Sequence, residues 1–194
     1  VLPATALAAP PAADPLLAPK PASPATIAAQ QAAHAALPQE DGRDAAFAAQ
    51  GFVASAADPV IRDAAGKPVW NLAGYDWVQG PAPASVNPSL WREVGLLKKH
   101  GLFAVADGVW QVRGFDVSNM TVIRGQTGWV LVDPLTTRET AAAALALVNA
   151  QLGARPVSAV IYSHSHADHF GGVRGVLAEA DVAAGKAQVV APAQ

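Results

Sequence analysis

The sequence predicts an α/β layered fold, preceded over residues 1–38 by a segment with no core of its own. Three observations predict it. From Trp129 onward the chain reads strand, helix, strand, helix, strand, the alternation that lays helices against a parallel sheet. Before that run, residues 109–132 hold three short segments of alternating apolar and polar character, separated by turn residues, as in an antiparallel meander. Near Gln39 the texture changes, from Ala and Pro with only Asp14 and Lys20 charged to an ordinary mixture of charges, aromatics and turn signals.

The bulk properties narrow the function. A length of 194 residues suits one domain with a tail, and 52% hydrophobic content is enough to bury a core. A formal charge of -2 with no Lys/Arg run excludes a polyanion binder, so neither nucleic acid nor an anionic membrane surface is expected as a partner. The absence of cysteine excludes a disulfide framework, a thiolate metal site and a cysteine nucleophile. The longest charge-free stretch with a helical pattern, residues 140–154, is too short for a transmembrane segment.

Taken in order, residues 1–38 read as a disordered leader or linker. Ala6-Leu7-Ala8 before Ala9-Pro10 resembles the small-residue end of a secretory signal, which points to a periplasmic or secreted protein. Residues 39–194 form the domain. The turn at 63–67 precedes a strand at 68–70, and residues 81–88 form a loop. Residues 89–97 are predicted to be helical, with Leu90, Val94 and Leu97 on one face. Strands follow at 109–113, 120–124 and 129–132, the last ended by Asp133-Pro134 because proline cannot continue a ladder. Thr136-x-x-Glu139 is a capping-box pattern for a helix with an apolar stripe of Leu145, Val148 and Leu152, stopped by Gly153. A buried strand at 157–162 is expected to run parallel to its predecessor, followed by a helix over 172–181 and a strand from 188.

The chemistry sits in Ser163-His164-Ser165-His166-Ala167-Asp168-His169-Phe170-Gly171-Gly172. Three of the five histidines fall within six residues, between a strand and a predicted helix, at the carboxyl edge where open α/β sheets collect ligands. In an extended segment His164 and His166 point to one side and can reach one ion, while Asp168 and His169 can face a second beside it. Imidazole and carboxylate donors without thiolate suit zinc, with other divalent metals possible. Gly171 and Gly172 allow the next helix to approach the site closely.

This segment resembles the metal-binding motif of the metallo-β-lactamase superfamily. Residues 86–92, 100–103, 110–120 and 133–137, with the motif's continuation at 170–176, resemble the alkyl sulfatase branch of that superfamily, over about Gly51 to Ala191. The resemblance implies the N-terminal half of a metallo-β-lactamase-like αββα sandwich. It implies two zinc ions, with His164 and His166 on the first and Asp168 and His169 on the second; Asp168 is also taken as catalytic. Asp133 is expected behind the metal ligands, orienting a histidine by a hydrogen bond, or else as a turn residue before Pro134. The reaction implied is hydrolysis of linear alkyl sulfates of the dodecyl sulfate type to an alcohol and sulfate. Family members bring further ligands, a dimerisation region and a C-terminal domain from downstream. This chain is therefore read as an N-terminal piece of a homodimeric enzyme, with an incomplete site and no activity alone. Two alternatives stay open: another hydrolase of the same fold, acting on a β-lactam or a thioester, or a non-catalytic metal-binding module.

Other residues are read blandly. His34 is expected to be solvated, His100 to lie as a cation at a helix C-terminus, and Asn119 to sit in a turn. Trp70, Trp77, Trp91, Trp110 and Trp129 are expected to pack. Arg92, Arg113, Arg124 and Arg174 are expected at the surface or in ion pairs rather than on a sulfate.

Overall fold

The computed structural model describes residues 20–37 and 42–193. The signal-like run at residues 6–10 and Asp14 lie outside them. Two helices come first, α1 (Pro24–Ala36) and α2 (Arg43–Ala49). Helix α1 corrects the expectation of an unstructured leader over part of its length. Pro24 stands where its fixed φ suits a first turn, and the Ser23 hydroxyl accepts from the Thr26 amide. No α1 residue is buried, and His34 is exposed as expected.

The domain is built on a seven-stranded sheet. Its strands are β1 (Phe52–Ala54), β4 (Gly101–Ala106), β5 (Val109–Arg113), β6 (Met120–Arg124), β7 (Trp129–Val132), β8 (Val157–Ile161) and β9 (Gln188–Val190), adjacent in that order. A separate hairpin joins β2 (Val60–Arg62) to β3 (Pro68–Asn71). The Asp63 carboxylate closes it by accepting from the amides of Ala65 and Lys67. The meander β5–β6–β7 is antiparallel, while β7, β8 and β9 are parallel, as the sequence predicts.

Burial follows the predicted period of two. Trp110 faces Val122, Val122 faces Leu131 and Leu131 faces Val160, which makes one buried row across four strands. Trp129 is fully enclosed; Trp110 packs on it edge to face at 5.9 Å, and Asn149 accepts its indole N–H at 2.9 Å. Arg113, Arg124 and Arg155 stack on Phe103, Trp110 and Trp129. Arg92 pairs with Asp44 and Arg174 with Glu179, so these arginines have structural partners. Trp77 departs from the packing expectation: it is 67% exposed and leans edge to face on Trp91.

The crossover helix α4 (Arg138–Leu152) covers the sheet with Thr140, Ala141, Ala144, Leu147 and Val148, a buried face shifted from the predicted stripe. Its cap is also shifted by one residue. Thr137, not Thr136, is the N-cap, and it exchanges hydrogen bonds with Thr140 in place of Glu139. Thr136 is engaged elsewhere, as described below. Helix α3 (Pro88–Leu97) is capped by the Asn87 side chain, but Leu90 and Leu97 are more than half exposed, so its predicted apolar face is not a core face. The helix expected over 172–181 is replaced by a 3₁₀ turn, Val173–Gly175, and a short helix α5 (Glu179–Ala183), with another 3₁₀ turn, Ala167–His169, before them.

His100 corrects a second expectation. Its ring lies 2.6 Å from the Ser55 hydroxyl, and its Cβ sits where a side chain on Gly114 would be. Burial pushes its imidazole below the ordinary value of 6.5, with Asp76 pulling weakly the other way, so it is not a cation on a helix end. Because the folded value is the lower one, acid costs the folded state more than the unfolded one. The neutral ring's contribution is whole above about pH 6.5 and is lost as pH falls through the folded value. Urea midpoints at pH 7.5 and 5 should therefore fall further for the wild type than for His100→Asn.

Candidate metal centre

The parallel pairing of β7 and β8 builds the site. Val132 stands opposite Ile161, so the residues after both strands emerge side by side at one sheet edge. Asp133 follows β7, and Tyr162, Ser163 and His164 follow β8. The Asp133 amide donates to the Ile161 carbonyl at 2.9 Å, extending the ladder by one bond. Asp133 and Leu135, on either side of Pro134, have positive φ values of 57° and 62°. Aspartate tolerates that conformation; leucine does not. The cost at Leu135 is about 1–2 kcal/mol, and burial of its side chain, with no exposed surface, returns about 1.5–3 kcal/mol.

This backbone turn aims the Asp133 carboxylate under the motif. Oδ1 accepts from the Ser163 amide at 2.7 Å. Oδ2 accepts from the Ser163 hydroxyl at 2.6 Å and lies 2.8 Å from His169 Nδ1. Burial by itself would raise this carboxyl, but the two Ser163 hydrogen bonds and His169 together outweigh it and hold it below the usual carboxylate value. Asp133 is thus more than a turn residue before proline. It ties the end of β8 to the turn that follows.

The predicted residues are brought together. The His164 ring lies 4.6 Å from that of His166 and 4.0 Å from that of His169, centroid to centroid. His164 and His166 are exposed, while Asp168 and His169 are half-buried on the 3₁₀ turn. Among the described residues no three such side chains are arranged to hold an ion as they stand. The reason is visible in His169. Its Nε2 points at Asp168 Oδ2, 3.1 Å away, while its Nδ1 points at Asp133. A neutral imidazole has one N–H, so with Nδ1 donating to Asp133 the Nε2 lone pair faces the Asp168 carboxylate, a pair of donors that a divalent cation would join. The donor chemistry therefore suits a divalent metal.

The glycines after the motif allow the close approach expected of them, but of a 3₁₀ turn and not of an α-helix. A Cβ on Gly171 would meet the Thr136 carbonyl oxygen at 2.3 Å, one on Gly172 the Pro134 oxygen at 2.2 Å, and one on Gly175 the Arg138 oxygen at 2.1 Å. They seat the motif's continuation on the 134–138 backbone. The Gly172 amide donates to Leu135 O at 2.9 Å.

Two residues escaped the sequence reading. Asp116, 7% exposed, accepts from the Val117 and Thr136 amides and the Thr136 and Thr140 hydroxyls. Ser118, 8% exposed, donates its hydroxyl to the Asp168 carbonyl at 2.5 Å. Both lie in the 114–119 connection, where a buried acid with no basic partner in sequence gives no local signal.

Residues 113–194 match the metallo-β-lactamase superfamily, a class that implies divalent metal binding and whose fold the sheet and α4 share. More particularly, the chain is similar to alkylsulfatases. It is 46% identical over 175 residues to a linear primary-alkylsulfatase of a Pseudomonas species and 44% identical over 174 residues to an alkyl/aryl-sulfatase of Saccharomyces cerevisiae, in both cases over 89% of this chain. Among solved structures it resembles an inverting sec-alkylsulfatase from Pseudomonas, with a TM-score of 0.82 and 46% identity over 88% of this chain. The chain spans about a quarter of the length of these relatives, 26–27%.

Replacing Asp133 by Asn removes the charge that Ser163 and His169 share. A loss of about 1.5–3 kcal/mol is expected, the range for hydrogen bonds to a charged group, read as a lower urea midpoint at pH 7 in chelator. The folded carboxyl has the lower pKa, so this contribution is present above pH 3.8, the ordinary value, and fades as pH falls through the folded one. The two proteins should converge in acid.

Proposed function

We propose that these residues supply part of the active site of a zinc-dependent alkylsulfatase, which hydrolyses linear alkyl sulfates of the dodecyl sulfate type to an alcohol and inorganic sulfate. The observation that carries this reading is the gathering of His164, His166, Asp168 and His169 at one sheet edge, with His169 Nε2 turned toward a carboxylate. Similarity to alkylsulfatases over 89% of the chain supports the substrate class.

In this reading His164 and His166 hold one zinc ion and Asp168 and His169 a second; other divalent metals suit the same donors. Bound zinc supplies Lewis acidity, which activates water and stabilises charge on the leaving oxygen. The chain's own part is to present the donors. Asp133, bonded to Nδ1 of His169, keeps Nε2 as that ring's outward-facing nitrogen. Ser163, between Asp133 and His164 Nδ1, does the same for His164. The same reading takes the whole enzyme as a periplasmic or secreted homodimer.

The 194 residues alone should bind zinc weakly and leave dodecyl sulfate intact. Tight uptake of two ions in a zinc titration would contradict the incomplete site. A longer protein containing these residues should hydrolyse dodecyl sulfate in preference to a cephalosporin or a glutathione thioester, and the reverse order would overturn the substrate. Hydrolysis in oxygen-18 water then assigns the bond cleaved, with label in the alcohol meaning attack at carbon and label in sulfate attack at sulfur.

A further inference from the structure

The connection between β5 and β6 grips the site at two points, and neither grip belongs to the metal-binding motif. Phe115, fully buried, anchors the connection in the core. Next to it, Asp116 reaches the start of α4. Its carboxylate accepts from the Thr136 amide at 3.1 Å and from the hydroxyls of Thr136 and Thr140 at 2.6 Å each. These groups surround the N-terminus of a fifteen-residue helix, where the backbone dipole favours a negative charge. Two residues on, Ser118 donates to the Asp168 carbonyl, at the turn that carries Asp168 and His169.

The two grips hold different halves of the site. Thr136 is three residues beyond Asp133, in the segment held on its other side by the Gly172 amide. Asp168 and His169 lie in a single 3₁₀ turn closed by His169 N–H to His166 O at 3.0 Å and Gly171 N–H to Ala167 O at 2.8 Å. So short a turn has little rigidity of its own. We propose that Asp116 and Ser118 are positioning residues: together they clasp the Asp133 segment to the Asp168–His169 turn and set the distance between carboxylate and imidazole. They touch no reacting atom and act through backbone and hydroxyl groups. Their consequence for metal rests on the reading above, but the clasp itself does not.

The test uses the 194-residue chain in two measurements. Amide hydrogen exchange is followed in chelator, and Co²⁺ is titrated as the probe, its visible absorption reporting the donors around it. In Ser118→Ala the amides of His169 and Gly171 should exchange about tenfold faster, the effect of losing one hydrogen bond, while those of β5 to β8 keep their rates. Asp116→Asn should do the same to Thr136 and Gly172. Co²⁺ affinity should fall about tenfold in both with an altered absorption band, and Ser118→Thr, which keeps the hydroxyl, should recover most of it. Unchanged exchange at these amides overturns the clasp, as does acceleration spread evenly over the sheet. If the unaltered chain takes up no Co²⁺ even with the ion in large excess while the local exchange effect is present, the metal reading fails and the clasp stands.

Discussion

The site depends on one carboxylate. Asp133 leaves β7 in a left-handed conformation, and its two oxygens take the Ser163 amide, the Ser163 hydroxyl and His169 Nδ1. Besides it, the end of β8 and the turn after it meet through ring contacts, His164 on His169 and Tyr162 on Phe170. The register of the parallel pair makes the contact possible, since Val132 beside Ile161 brings residues thirty apart in sequence to one edge. Backbone strain at Leu135 is the accompanying cost, offset by enclosure of that side chain.

Around this carboxylate the packing is unusually close where backbone meets backbone. The carbonyls of Pro134, Thr136 and Arg138 fill the space that side chains on Gly172, Gly171 and Gly175 would need. Asp116 supplies a second anion beneath the same segment, satisfied entirely by amides and hydroxyls. No buried side-chain polar atom among the described residues lacks a partner. The exposed imidazoles of His164 and His166 therefore stand on a fully bonded base.

Much of this was legible in the sequence because it rests on local patterns. Alternation marked β5, β6 and β7, and Gly153 after Leu152 marked the end of α4. The spacing of the histidines marked the cluster that the structure gathers at one sheet edge. What escaped was set by contacts distant in sequence. Thr136 looked like an N-cap by its spacing to Glu139, but Asp116, twenty residues away, engages it and leaves the cap to Thr137. A helix over 172–181 looked reasonable until three glycines proved to be pressed onto carbonyls. Strands β1, β2 and β4 went unrecognised; Gly101, the first residue of β4, weakens the pattern there, and a side chain on it would collide with the Ala54 carbonyl.

At one margin of the sheet, β9 pairs among the described residues only with β8, and all three of its residues, two of them valines, are exposed. A short parallel strand of this kind offers a row of unmatched donors and acceptors to any extended peptide of suitable pitch. In concentrated solution the readiest such peptide is another copy of the same border. A lysine in place of Val189 would set a charge on that margin, the device by which sheet proteins discourage such pairing.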